Sequence, residues 1–207
     1  FDPQANATSG MGVDKTLSQG IYDVLLNGVE PQKRVVSTRY GDVLPSSKGL
    51  AGAGVELVGV QDREHLLRRA LEQLSPSYDY IFVDCPPSLE LLTLNGLCAA
   101  DSALVPVQSE YFALEGLSDL MYTIRAVRRA LNPQLELEGV LLTMFDSRTN
   151  LAVQVAEEVK RFFPGKVYST VIPRNVRLSE APSHGKPICA YDRASRGCEA
   201  YAALAEE

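Results

Sequence analysis

The chain has no tryptophan, only two histidines, and four cysteines with no Cys-x-x-Cys pair among them. His65 and His184 stand far apart, and Cys85, Cys98, Cys189 and Cys198 are scattered without Cys/His metal spacing. Zinc and iron–sulfur sites are built on such spacings, so the pattern speaks against both, and the cysteines read as reduced, partly buried thiols. No Ser/His/Asp or Cys/His nucleophile set can be assembled. Positive charge is not in excess: Lys and Arg number 20 against 26 Asp and Glu, a net −6. That argues against a blanket affinity for nucleic acid and leaves a local basic patch open. No apolar run approaches the length needed to span a bilayer, and no signal peptide is expected. There is no repeat, low-complexity tract or clear linker, so residues 1–207 read as one domain or a large part of one.

What is present is an ordinary globular balance, 45% hydrophobic and 22% charged. Val55 to Val60 leads into Asp62, placed to cap a helix carrying Leu66, Leu67, Ala70, Leu71 and Leu74 at helical spacing. Tyr80-Ile81-Phe82-Val83, stopped by Pro86-Pro87, predicts a parallel strand buried on both faces. Leu89 to Ala100 predicts a helix, Ser102 to Val107 a strand, and Leu114 to Leu131 a long amphipathic helix closed by Asn132-Pro133. Gly139 to Phe145 predicts a strand, Thr149 to Phe163 a helix, Val167 to Ile172 a strand and Arg193 to Ala205 a terminal helix. Strand and helix alternate, which predicts an α/β fold, a mainly parallel sheet flanked by helices.

Ligands of open α/β sheets lie beyond the carboxyl ends of the strands. Asp84 is expected at such an end, where a carboxylate meets a hydrated Mg²⁺. Cys85-Pro86-Pro87-Ser88 then forces the chain into a fixed loop. Pro3 restricts Asp2 to an extended conformation and fixes its carboxylate, which suits it to orient an attacking water in phosphoanhydride hydrolysis. The other reading of Asp2 is a solvated terminus. Ser9 to Thr16 has the outline of a P-loop, but Ser9 and Asp14 occupy its glycine positions and no apolar strand precedes it, so it is rejected. Arg148, Arg174 and Arg177 follow predicted strand ends. They either converge on one rim that grips phosphate oxygens or are ordinary surface arginines.

With these motifs in place, the chain resembles the ParA/Soj partition ATPases, of the deviant Walker P-loop class. The resemblance rests on Asp2-Pro3-Gln4 with Asn6 to Gly10, on Tyr78 to Ser88, on Pro106 to Leu117, on Glu138 to Met144 and on Val171 to Pro187. It implies ATP and Mg²⁺ as cofactors, an ATP-dependent homodimer that binds DNA without sequence preference, and stimulation by a ParB-type centromere-binding partner. By the same resemblance Asp2 is the catalytic aspartate and Asp84 the magnesium aspartate. Pro173 and Asn175 lie where the family contacts adenine, and Arg148 and Arg177 match its DNA-binding arginines. The resemblance places the lysine-bearing P-loop upstream of Asp2. The start on Phe1 predicts a processed product or fragment that lacks the loop and is inactive alone, with apolar surface exposed where the first strand would pair. Localisation is expected to be cytoplasmic, on the nucleoid, with no membrane attachment.

Two alternatives stay in view. A MinD-like cell-division ATPase would carry a basic amphipathic C-terminal helix, whereas Ala202 to Glu207 is acidic. A non-enzymatic DNA-binding or interaction module would bind DNA without ATP turnover.

Overall fold

Helical and extended segments alternate along a computed structural model that describes residues 1–17, 19–110 and 113–207. The elements are α1 (Asn6–Gly10), α2 (Ile21–Asn27), β1 (Val36–Thr38), β2 (Gly41–Val43), α3 (Ala53–Glu56), α4 (Leu66–Leu74) and α5 (Leu91–Ala99). They continue as β3 (Ser102–Gln108), α6 (Ala113–Ala130), β4 (Glu136–Thr143), α7 (Asn150–Phe162), α8 (Val176–Glu180), α9 (Ile188–Tyr191) and α10 (Arg196–Glu206). Tyr111 and Phe112, inside the Pro106 to Leu117 motif, lie outside the described residues.

The expected α/β architecture is present. Strands β3 and β4 pair in parallel from Ser102↔Glu136 to Gln108↔Thr143, with an irregularity between Ala103 and Leu104. Their apolar residues Val105, Val107, Val140 and Leu142 form one core with Ile124 and Val127 of α6 and Val155 and Val159 of α7. A second core gathers Ile21, Leu50, Ala53, Leu57 and Leu67 with Leu92. Helix α5 joins the two: Leu92 faces the second core while Leu97 and Cys98 face the first. A helix buried on more than one side suits such a central position. Strands β1 and β2 form a separate antiparallel hairpin.

Three expectations need correction. Asp62 does not cap a helix; it has φ 51° and no side-chain cap hydrogen bond. Asn95, reaching over from α5, takes its place: its Oδ1 accepts from Leu67 N–H (3.1 Å) and its Nδ2 donates to Arg63 O (2.9 Å) and Leu91 O (3.0 Å). Asn95 is 1% exposed, so Asn95→Ala leaves buried backbone groups unpaired. A loss of roughly 2 kcal/mol is expected by denaturant unfolding, and an unchanged midpoint would contradict it.

Tyr80 to Val83 is not a buried strand. Tyr80 is 82% and Phe82 92% exposed, and no described residue forms a ladder with the segment. A sheet strand needs a neighbour to take its N–H and C=O groups; here only Val83 packs inward, on the second core.

Val167 to Ile172 is an interrupted strand. It lies parallel to β4 through bridges Val140↔Val167 and Phe145↔Pro173. Tyr168 N–H donates to Val140 O (3.1 Å), but Ile172 N–H takes Leu142 O (2.9 Å). Between these two bonds the Glu207 carboxylate accepts from Ser169 N–H (2.7 Å) and Thr170 N–H (2.9 Å). These two bonds hold the Glu207 carboxyl down at about 2.

Candidate functional site

Asp2 opens a tight turn. Its carbonyl accepts from Ala5 N–H (2.9 Å) and its Oδ1 from Gln4 N–H (2.9 Å). Pro3 presets the backbone for such a turn, and an aspartate before it closes the turn with its side chain. Two buried hydroxyls fasten the turn to the loop after the hairpin: Ser46 Oγ donates to Asp2 O (2.8 Å), and Ser46 N–H donates to Thr8 Oγ1 (3.0 Å).

Asp84 is exposed at the end of the unpaired Tyr80 to Val83 segment, not of a laddered strand. The structure still brings it to Asp2. Burial pushes the Cys85 thiol up to about 11, and the charges of Asp84 and Asp2 add to the rise. The two carboxylates therefore share one electrostatic neighbourhood. Asp84 also lines a groove of about 370 Å³ together with Phe1, Thr8, Leu71, Tyr80 and Phe82.

The donor set suits magnesium, which takes one or two carboxylates plus waters and substrate phosphates. Among the described residues no cluster of three or more His, Cys, Asp and Glu side chains forms a complete metal cage. The rejected P-loop outline is no cradle either. Asp14 Oδ1 accepts from both the N–H and the hydroxyl of Thr16, each at 2.8 Å, placing a carboxylate where phosphate would sit.

The remaining predicted residues lie on a second rim, at the end of β4 and its interrupted neighbour. Phe145 N–H donates to Ile172 O (3.0 Å) and Arg174 N–H to Phe145 O (3.1 Å), so the loops around 145–150 and 173–177 run side by side. Arg148, its side chain 87% exposed, is forked onto Asp146 through Nε (2.8 Å) and Nη2 (2.6 Å). Those bonds hold the Asp146 carboxyl down at about 2. Arg177 contacts Glu180 (2.8 Å) and Asp192 (3.3 Å). Arg174 pairs with Glu110 (3.2 Å) and also lies within reach of Asp146, which makes it a third cation of this rim. Pro173 is half-buried against Phe145. Asn175 caps α8, its Oδ1 accepting from Arg177 N–H (2.9 Å).

The turn after α1 meets the turn that follows α8 at a glycine seam. A Cβ on Gly12 would lie 3.0 Å from Gly185 O, and one on Gly185 would lie 3.0 Å from Gly12 Cα. Both glycines have positive φ, 79° and 60°, which strains any other residue.

The first 137 residues match the family model described as an AAA domain. The chain superposes on the cobyrinic acid a,c-diamide synthase of Mycobacterium smegmatis, solved with an ATP analog and magnesium, with a TM-score of 0.87 at 37% identity, covering 99% of this chain and 78% of that one. The fold is that of the P-loop nucleotide hydrolases. The sporulation initiation inhibitor protein Soj of Bacillus subtilis is 57% identical over all of this chain and 83% of its own length. The chromosome partitioning protein ParA of Myxococcus xanthus is 56% identical over all of this chain and 74% of its own. The chain belongs to the Soj/ParA family of chromosome-partitioning ATPases. No helix among the described residues is long and apolar enough to cross a membrane.

Proposed function

We propose that residues 1–207 form one ATPase domain of a chromosome-segregation motor. It hydrolyses ATP as a DNA-bound homodimer on the nucleoid, in the cytoplasm, and a ParB-type partner stimulates it. The observation that carries this reading is the placement of Asp2 and Asp84 around Cys85 in a chain 57% identical to Soj. Mg²⁺-ATP, when bound, would supply the polarised terminal phosphate and its leaving group. Asp84 would hold the metal, and Asp2, aimed by its turn, would orient the attacking water. Asn175 offers its amide to the base beside Pro173. Arg148, Arg174 and Arg177 meet DNA phosphates from the second rim.

The 207 residues contain no G-x-x-x-x-G-K-[S/T] run. On their own they hold ATP weakly, because backbone amides and a lysine make the phosphate grip. The test therefore uses the full-length protein that contains this chain. There Asp84→Ala is expected to remove most of the magnesium-dependent part of nucleotide affinity, about 10- to 100-fold. Calorimetric titrations with Mg²⁺ and with a chelator read the difference directly. An undiminished magnesium dependence in the mutant would overturn the assignment.

A further inference from the structure

Four thiols are free, and among the described residues one pair of them meets: Cys198 Sγ lies 3.0 Å from Cys189 Sγ, across the junction of α9 and α10. The two residues are nine apart in sequence and differ in setting. Cys189 is exposed, whereas Cys198 is 5% exposed in the first turn of α10, its N–H donating to Ser195 Oγ (3.2 Å). A disulfide needs about 2.05 Å between sulfurs, so closure asks for an approach of about 1 Å. We propose that Cys189 and Cys198 form a reversible dithiol–disulfide site that responds to hydrogen peroxide.

The division of labour follows from access. Cys189 meets the oxidant; its sulfur attacks the O–O bond, an S–O bond forms and the first water leaves. Cys198 then attacks the Cys189 sulfur; the S–S bond forms, the S–O bond breaks and the second water leaves. Overall two thiols lose two electrons and two protons, and one peroxide becomes two waters. The hydrogen bond to Cys189, followed by burial, raises the Cys198 pKa, and Arg193 opposes the rise. Cys198, buried and donating its S–H to Cys189, is engaged only once the first sulfur is oxidised.

The other cysteines are built differently. Burial pushes Cys85 and Cys98 each up to about 11, and neither contacts another thiol among the described residues. Thiols so protonated react slowly, so they serve as internal controls. The bond would also close a loop around Asp192, whose carboxylate holds Arg177 (3.3 Å), and Tyr191, whose hydroxyl donates to Glu180 (3.1 Å).

The test treats the full-length protein with stoichiometric peroxide, alkylates free thiols and maps peptides. The expected product is an intramolecular Cys189–Cys198 link, formed with loss of two hydrogens and fully reversed by dithiothreitol, with Cys85 and Cys98 still alkylated. Cys198→Ala should leave Cys189 as a sulfenic acid that a 1,3-dione traps, and Cys189→Ser should leave Cys198 alkylatable. Because Ala and Ser are small, each variant's fold is checked by its unchanged melting transition under reductant. Over-oxidation of Cys189 beside an alkylatable Cys198, a link between chains, or a link to Cys85 or Cys98 would overturn the proposal.

Discussion

Asp2→Ala in the full-length protein is expected to lower ATP turnover by roughly 10²- to 10⁴-fold, the range for losing a group that positions or deprotonates the attacking water. ATP affinity and nucleotide-dependent dimerisation should stay within about twofold, because an interaction made only on the way to the transition state leaves ground-state binding alone. The structure makes this separation clean. The turn is held by the Asp2 carbonyl, which accepts from Ala5 N–H and Ser46 Oγ, and alanine keeps that carbonyl. Only the 2.9 Å bond from Gln4 N–H to Oδ1 disappears. Phosphate release and equilibrium nucleotide binding are measured on the same preparation. Normal turnover in the mutant would show that some other group handles the water.

Charge reversal on the second rim should strike a different property. With ATP bound, Arg148→Glu or Arg177→Glu is expected to weaken binding to any duplex by tenfold or more at moderate salt. The logarithmic salt slope should fall by roughly one for each arginine–phosphate ion pair removed, and hence by about two in a symmetric dimer. In the structure Arg148 is forked onto Asp146, and Arg177 lies between Glu180 and Asp192. A phosphate must share or replace those carboxylates, so the reversal removes an attraction and exposes an existing negative charge. Nucleotide affinity should survive both changes. Gel shifts with unrelated duplexes over a salt series decide the matter: unchanged DNA affinity in both mutants would make these plain surface arginines.

Much of the α/β framework was legible in the chain because it is written locally. The β-strand apolar run from Ser102 appears at Ser102–Gln108, and the long helix begins one residue from its expected start, at Ala113. Strand β4 ends at Thr143 instead of Phe145 because Met144 turns to φ 50° and leaves the ladder. What was not legible depends on partners far away in sequence. Nothing near Val167 says that Glu207 will take the N–H groups of Ser169 and Thr170. Likewise nothing near Asp62 says that Asn95 will cap the next helix from α5. Helices α1 and α2 and the hairpin are too short to show a period.

The candidate site divides in the same way. Asp2 and Asp84 were identifiable by motif, and their common neighbourhood is a product of folding. The Asp146 fork on Arg148 spans only two residues and was within reach of local reasoning. The Asp192 contact to Arg177 and the meeting of Cys189 with Cys198 depend on the α9–α10 junction, which no periodicity encodes.

The glycine seam has a thermodynamic consequence. Gly12 lies just beyond α1, which begins at the Asp2 turn, and Gly185 closes the turn that follows α8 and its Arg177. Backbone meets backbone there with no side chain between to yield, and packing of that kind passes a displacement on more readily than it absorbs one. If the ends of this seam hold nucleotide and DNA as proposed, the two ligands are linked, and linkage is reciprocal. Whatever factor nucleotide adds to the grip on DNA, DNA must add to the grip on nucleotide. Bound DNA then raises nucleotide occupancy at equilibrium, and the affinity of each ligand is set partly by the other.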